Sequence, residues 1–145
     1  MASLVFNIAK SGLMDGTIDL NTHDIRAALC MTNTTADTDA DVDTVATITT
    51  LDECDSTGYA RITMTGEAVN LDDLNDRAEF DAADLSFTGL GGNATRAIQG
   101  VLIFKFVTTD TDNVPICFVD FTADIPTTAT QIDVPWNAEG ILQLS

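Results

Sequence analysis

Apolar positions recur along this chain with two different periods. From Leu4 to Met14, the residues Leu4, Val5, Ile8, Ala9 and Leu13 fall at helical spacing, with Ser3 placed to cap the start and Gly16 to stop the end. That spacing predicts one short amphipathic helix within an N-terminal unit of residues 1–16. Thr17 to Leu20 and Ile25 to Met31 then read as extended segments. The second alternates Ile25, Ala27, Leu29 and Met31 against Arg26, Ala28 and Cys30. Val45, Ile48 and Leu51 follow at three-residue spacing, which suits a short helical turn better than a strand.

The second half is strand-like throughout. Gly58 to Thr65, Ala78 to Phe80, Asp84 to Phe87, Ile98 to Val107, Pro115 to Phe121, Gln131 to Trp136 and Ile141 to Leu144 are rich in β-branched and aromatic residues and bounded by Gly, Asp, Asn or Pro. Their spacing of about ten residues predicts a mainly β fold, an antiparallel β-sandwich or barrel-like domain with a short N-terminal α-helix. Gly100 to Val107 is apolar on both alternating faces, as a central strand covered on both sides must be. The polar stretch from Thr108 to Val114 joins it to Pro115–Phe121 as an antiparallel hairpin.

Residues 32–44 are nearly all Thr, Asp and Ala, without an apolar period, and read as a solvated, mobile acidic loop. It interrupts one fold and is too short to separate two, so residues 1–145 read as a single domain. No repeat of fixed period is present.

Composition narrows the function classes. Apolar residues make up 45% of the chain and charged residues 20%, a globular balance with enough apolar material for a core. The 23 acidic against 6 basic side chains leave a formal charge of −17, which repels phosphate. Nucleic acid and anionic membrane are therefore excluded as partners, and neutral or basic protein surfaces are favoured. No apolar run approaches the roughly 18 residues that span a bilayer, and Met1–Phe6 lack the basic stretch and apolar run of a secretory signal. Synthesis in a cytoplasm is expected. Cys30, Cys54 and Cys117 are odd in number and lack CxxC spacing, so they read as reduced thiols, Cys30 and Cys117 packed inside strands.

Candidate chemistry is sparse. Asp37, Asp39, Asp41 and Asp43 alternate in the acidic loop, where carboxylates can converge on a hard cation such as calcium. An EF-hand would place Gly and Glu where Val42 and Ile48 stand, so a solvated loop is the stronger reading. Asp110 and Asp112 make a weaker pair. Carboxylate pairs can be drawn from Glu53, Asp55, Glu67, Asp72, Asp73, Glu79, Asp81 and Asp84, but their abundance removes any specificity, and acids on turns and edge strands discourage aggregation. His23, the sole histidine, stands beside Asp24 in a turn with no GxSxG elsewhere and reads as a turn or capping residue. Gly89–Gly92 lacks the GK[ST] ending of a phosphate loop and reads as a strand connection. Trp136 shares a face with Ile132 and Val134, which makes it a core residue or, beside an edge, an anchor for a neighbouring subunit. No catalytic residue and no cofactor is indicated.

The segments Asp15-Gly-Thr-Ile-Asp19, Ile25-Arg-Ala-Ala-Leu29, Leu51-Asp-Glu-Cys-Asp55, Gly58-Tyr-Ala-Arg61, Ala78–Phe87 and Val134–Leu142, with the opening helix, together resemble small structural proteins of tailed bacteriophages regarded as head decoration or cement proteins. The resemblance covers nearly the whole chain. It implies a protein added to the outside of an assembled capsid as a homotrimer, bridging copies of the major capsid protein. A tail or baseplate structural protein is the nearest alternative, and a calcium-dependent binding module a more distant one.

Overall fold

The computed structural model describes residues 2–145, and it is mainly β, with antiparallel sheets and one short helix near the N-terminus. The strands are β1 (Leu4–Val5), β2 (Ile25–Met31), β3 (Ile62–Thr63), β4 (Ala68–Asp72), β5 (Arg77–Asp81), β6 (Leu85–Phe87), β7 (Ile98–Lys105), β8 (Val114–Ile125), β9 (Ile132–Val134) and β10 (Leu142–Leu144). The helix α1 spans Asn7–Asp15, and a single 3₁₀ turn covers Val45–Thr47. One sheet has the order β1-β8-β7-β2-β3, a second β10-β5-β4, and β6 pairs with β9.

The expected central strand sits at the middle of the larger sheet, and Val101 through Phe104 are fully buried on both faces. A strand in that place carries apolar side chains at successive positions because neither face meets water. Pairing with β8 is antiparallel, as the intervening polar loop predicts, with Leu102 opposite Phe118 and Ile103 opposite Cys117. Two irregularities interrupt the register. One lies at Phe104, opposite Pro115, where proline has no N–H to offer the ladder. The other separates Ile98, opposite Ile125, from Gly100, opposite Asp120, so that Phe121–Asp124 bow out of the ladder. Gly100 is required there, since a Cβ would stand 2.5 Å from the Val119 carbonyl oxygen and 2.6 Å from the Phe118 ring.

The N-terminal helix starts later than its spacing suggests. Leu4 and Val5 are taken by β8, opposite Phe118 and Cys117, and Ser3 Oγ accepts from Asp120 N at 2.9 Å instead of capping the helix. Phe6 occupies the cap position with extended backbone and no side-chain bond. Sheet pairing satisfies backbone groups that a first helical turn would leave open, which is why it prevails over the apolar spacing. Gly16 ends the helix in the left-handed region as expected, with φ 78°. Thr17 to Leu20 form no strand; Ile18 and Leu20 are buried as irregular chain. Gly58 to Thr65 shortens to the two residues of β3, and β4 lies where no strand was expected.

A single buried cluster joins α1 to all the longer strands and takes in Cys30, Cys54 and Cys117 as free thiols. Burial pushes the Cys30 and Cys117 thiols up to about 12.

Candidate functional site

The four alternating aspartates of the acidic loop do not converge. Asp37 Oδ2 accepts from Gln99 Nε2 on β7 at 3.0 Å. Asp39 Oδ2 accepts from Thr35 Oγ1 and Thr49 N, both at 2.7 Å. Asp41 accepts from Asn7 Nδ2, and Asp43 points to solvent with no hydrogen bond among the described residues. Among those residues no three His, Cys, Asp or Glu side chains stand together as a metal set. The loop is also not simply solvated. Ala36 is fully buried, Thr34 nearly so, and Thr35 Oγ1 accepts from Thr50 N at 2.9 Å, so residues 34–50 close on themselves. Small Thr and Asp side chains hydrogen-bond nearby backbone, which lets polar sequence form a packed turn.

The remaining acids mostly hold structure together. Asp55 accepts from Thr95 N and Oγ1, Asp84 from Trp136 N, Asp81 from Ala82 N, and Asp72 from Asn75 and Arg77. Arg77 lies 2.7 Å from Glu79 Oε1 as an ion-pair contact without hydrogen-bond alignment, while Arg96 pairs with Asp52. Glu67 and Asp73 have no hydrogen bond among the described residues. Asp112 accepts from Thr108 Oγ1 within its own loop. His23 Nδ1 accepts from Asp19 N at 3.0 Å, closing the turn before β2. Gly91 N donates to Thr57 O at 2.7 Å, which makes Gly89–Gly92 a pinned connection.

The densest of these networks surrounds Arg61. Its Nε and Nη2 reach Glu53 at 2.8 and 2.7 Å, and its Nη2 also donates to Asp110 Oδ2 at 2.8 Å. Tyr59 Oη donates to Glu53 at 2.8 Å and accepts from Leu29 N at 3.0 Å. Asp110 further accepts from the buried Asn113, whose Oδ1 takes Val107 N and whose carbonyl takes Val45 N. One guanidinium thus ties β2, the 3₁₀ turn and the β7–β8 loop together. Hydrogen bonding from Arg61 holds the Asp110 carboxyl below its ordinary value against the opposing effect of burial. Arg61 also borders a small cleft with Ser86 and Thr88, but its own nitrogens are taken up by Glu53 and Asp110, and the order of the network is that of a clamp.

Trp136 is half-buried. Its Nε1 donates to Ala83 O at 3.0 Å, so the ring is fixed to the turn before β6. It lines an open groove of about 510 Å³ between the bowed residues of β8 and the end of β9, with Asp120, Thr122 and Asp133 on the walls. Burial and the neighbouring Asp37 and Asp124 raise the Asp120 carboxyl.

One surface was not foreseen from the sequence. In the three-stranded sheet, Val69, Phe80 and Leu142 form one cross-strand row, and Leu71, Ala78 and Leu144 the next. Directly opposed residues share a face, so these six make one apolar face. Its inner part is covered, Phe80 and Leu142 being buried. Its outer part is open: Leu71 is 80% exposed, Leu144 54%, Val69 45%, and Leu74 in the β4–β5 turn 91%. A shallow cleft lined by Leu13, Leu20 and Leu144 runs into it. The signal was present in Ala68–Phe80, where Val69 and Leu71 alternate with Asn70 and Asp72 and a four-residue turn precedes Ala78 and Phe80.

Comparison with known proteins finds no matching family model, no matching curated protein and no matching solved structure.

Proposed function

We propose that this chain is a virion structural protein that binds the outer surface of a tailed-phage capsid as a decoration or cement protein and stabilises the shell. The observation that carries the reading is the open apolar face of the three-stranded sheet, set on a strongly acidic domain whose carboxylates largely hold its own loops in place. Contiguous apolar surface of this kind marks contact with another protein. A charge of −17 suits the outside of a shell, away from packaged DNA. The resemblance of the sequence segments to phage head proteins supplies the identity of the bound surface, and with it the trimeric arrangement, in which several modest contacts act together.

The test is sedimentation of the purified protein with expanded and unexpanded shells of the phage that encodes it, alongside light scattering for the trimer. Saturable binding to heads and a higher disruption temperature of decorated heads are expected. Recovery with tails and no binding to heads would transfer the protein to the tail or baseplate.

A further inference from the structure

The open part of the apolar face has a distinct electrostatic frame. Asp73 and Asp76 flank Leu74 in the β4–β5 turn, and Glu67 precedes β4; none of the three forms a hydrogen bond or ion pair among the described residues. The nearest cation in sequence, Arg77, stands opposite Asp72, one position out of phase with Leu71 and Ala78, and so lies on the other face of the sheet. There it is engaged by Asp72 and Glu79. Arg26, Arg61 and Arg96 are likewise ion-paired within the domain, Lys105 donates to the Thr17 carbonyl and Lys10 to Asn7. Among the described residues none of these six cations pairs with Glu67, Asp73 or Asp76.

From this arrangement we infer that the Val69–Leu71–Leu74–Leu144 face docks an apolar segment of another protein flanked by lysine or arginine. A second copy of this chain fits worse. Two such faces in contact would bring Asp73, Asp76 and Glu67 of each copy together, and like charges across an interface oppose association. A basic-flanked segment covers the leucines and answers the carboxylates at the same time. The inference deepens the capsid reading and rests on it for the source of the partner, since the shell protein would carry the segment.

The probe is a labelled synthetic peptide of alternating valine and threonine with lysines at both ends, and a twin with glutamates in their place, followed by fluorescence anisotropy. The lysine peptide binds the wild type and weakens several-fold between about 0.05 and 0.5 M salt, while the glutamate peptide does not bind. Leu71→Asn with Leu74→Asn weakens binding at least about ten-fold with an unchanged melting temperature; Leu144→Asn is the second variant should the pair disturb folding. Equal binding of both peptides, or unaltered binding by the folded variants, overturns the inference. So does self-association of the wild type that the same leucine substitutions abolish, or their abolition of binding to phosphatidylcholine vesicles. Sedimentation with shells separates the two readings. Shells that ignore the wild type while the peptides discriminate sink the capsid reading and leave the docking face standing, whereas shells that take the leucine variant as readily as the wild type sink the docking face alone.

Discussion

Replacing Arg61 with methionine tests whether the guanidinium clamp holds the fold. The side chain bonds Glu53 through two nitrogens and Asp110 through two, and Arg61, Glu53 and Asp110 retain side-chain exposures of only 25%, 25% and 34%. Exposed ion pairs contribute about 0.2–1 kcal/mol, whereas removing one partner from a fully buried pair costs about 3–5 kcal/mol. At this partial exposure solvent screens some of the interaction, and a loss of about 2–3 kcal/mol is expected. Methionine keeps the apolar stem but not the guanidinium that lies 5.1 Å over the Phe104 ring, so the loss reports the charge, its hydrogen bonds and that contact.

Urea unfolding at neutral pH reads the loss as a drop in midpoint of about 1 M or more with an unchanged slope. The pH dependence has a definite sign. Because Arg61 hydrogen bonds depress the folded Asp110 carboxyl, its contribution is complete above the unfolded value of about 4 and disappears as pH falls through the lower folded value. In the variant, protonation also relieves the repulsion between Glu53 and Asp110. The stability gap between wild type and variant is therefore widest near neutrality and narrows below about pH 4. A gap under about 0.5 kcal/mol at pH 7, or one that widens on acidification, refutes the clamp.

Gly100→Ala should cost about 2–4 kcal/mol in the same assay, because the new methyl meets the Val119 carbonyl and the Phe118 ring, neither of which is the free end of a flexible chain. Cys30 and Cys117, with thiols pushed up to about 12, should resist a disulfide reagent at pH 8 in the native state and react on unfolding; rapid native labelling of either would contradict their packing. Asp39→Ala should lower stability by about 1–2 kcal/mol by releasing Thr35 and Thr49, while Asp43→Ala stays within about 0.5 kcal/mol, and equal effects would show that the loop is not organised around Asp39. Raising salt from about 0.01 to 0.15 M should raise the melting temperature of the wild type, since the Debye length falls from about 30 to 8 Å and screens the self-repulsion of a chain at −17.

Elements whose side chains meet one kind of environment were legible in the sequence. The strands β2, β7 and β8 are long and bury successive residues, so propensity and packing agree, and the hairpin between β7 and β8 follows from its polar connection. Legibility failed where tertiary pairing set the local state. Leu4 and Val5 have helical spacing, yet the edge of β8 offered a ladder that an isolated helical turn cannot match. The acidic loop looked solvated because Thr and Asp count as polar, but Thr34, Thr35 and Asp39 direct their oxygens at the backbone of residues 49–51. The β4–β5 hairpin was missed because its strands are short, with only two apolar positions each on the shared face, and its turn holds Asp, Leu and Asn in place of the usual glycine.

The distribution of the six cations connects the fold to the proposed role. A surface meant only to be soluble would gain from basic side chains mixed among the acids, which lower self-repulsion at no loss of hydration. Here each of the four arginines is instead the bidentate or shared partner of carboxylates that pin a turn or loop. Arginine suits that work because its planar fork meets two oxygens at once. The protein thereby commits four of its six cations to its own carboxylates, leaving Lys10 and Lys105 bonded to neutral oxygens. Its apolar sheet face then lies within a field of one sign, which disfavours contact between identical faces and favours a basic partner before any side chain has touched. The same allocation makes the clamp and the docking face separable: loss of Arg61 should weaken folding without altering the choice of partner, and loss of Leu71 and Leu74 should do the reverse.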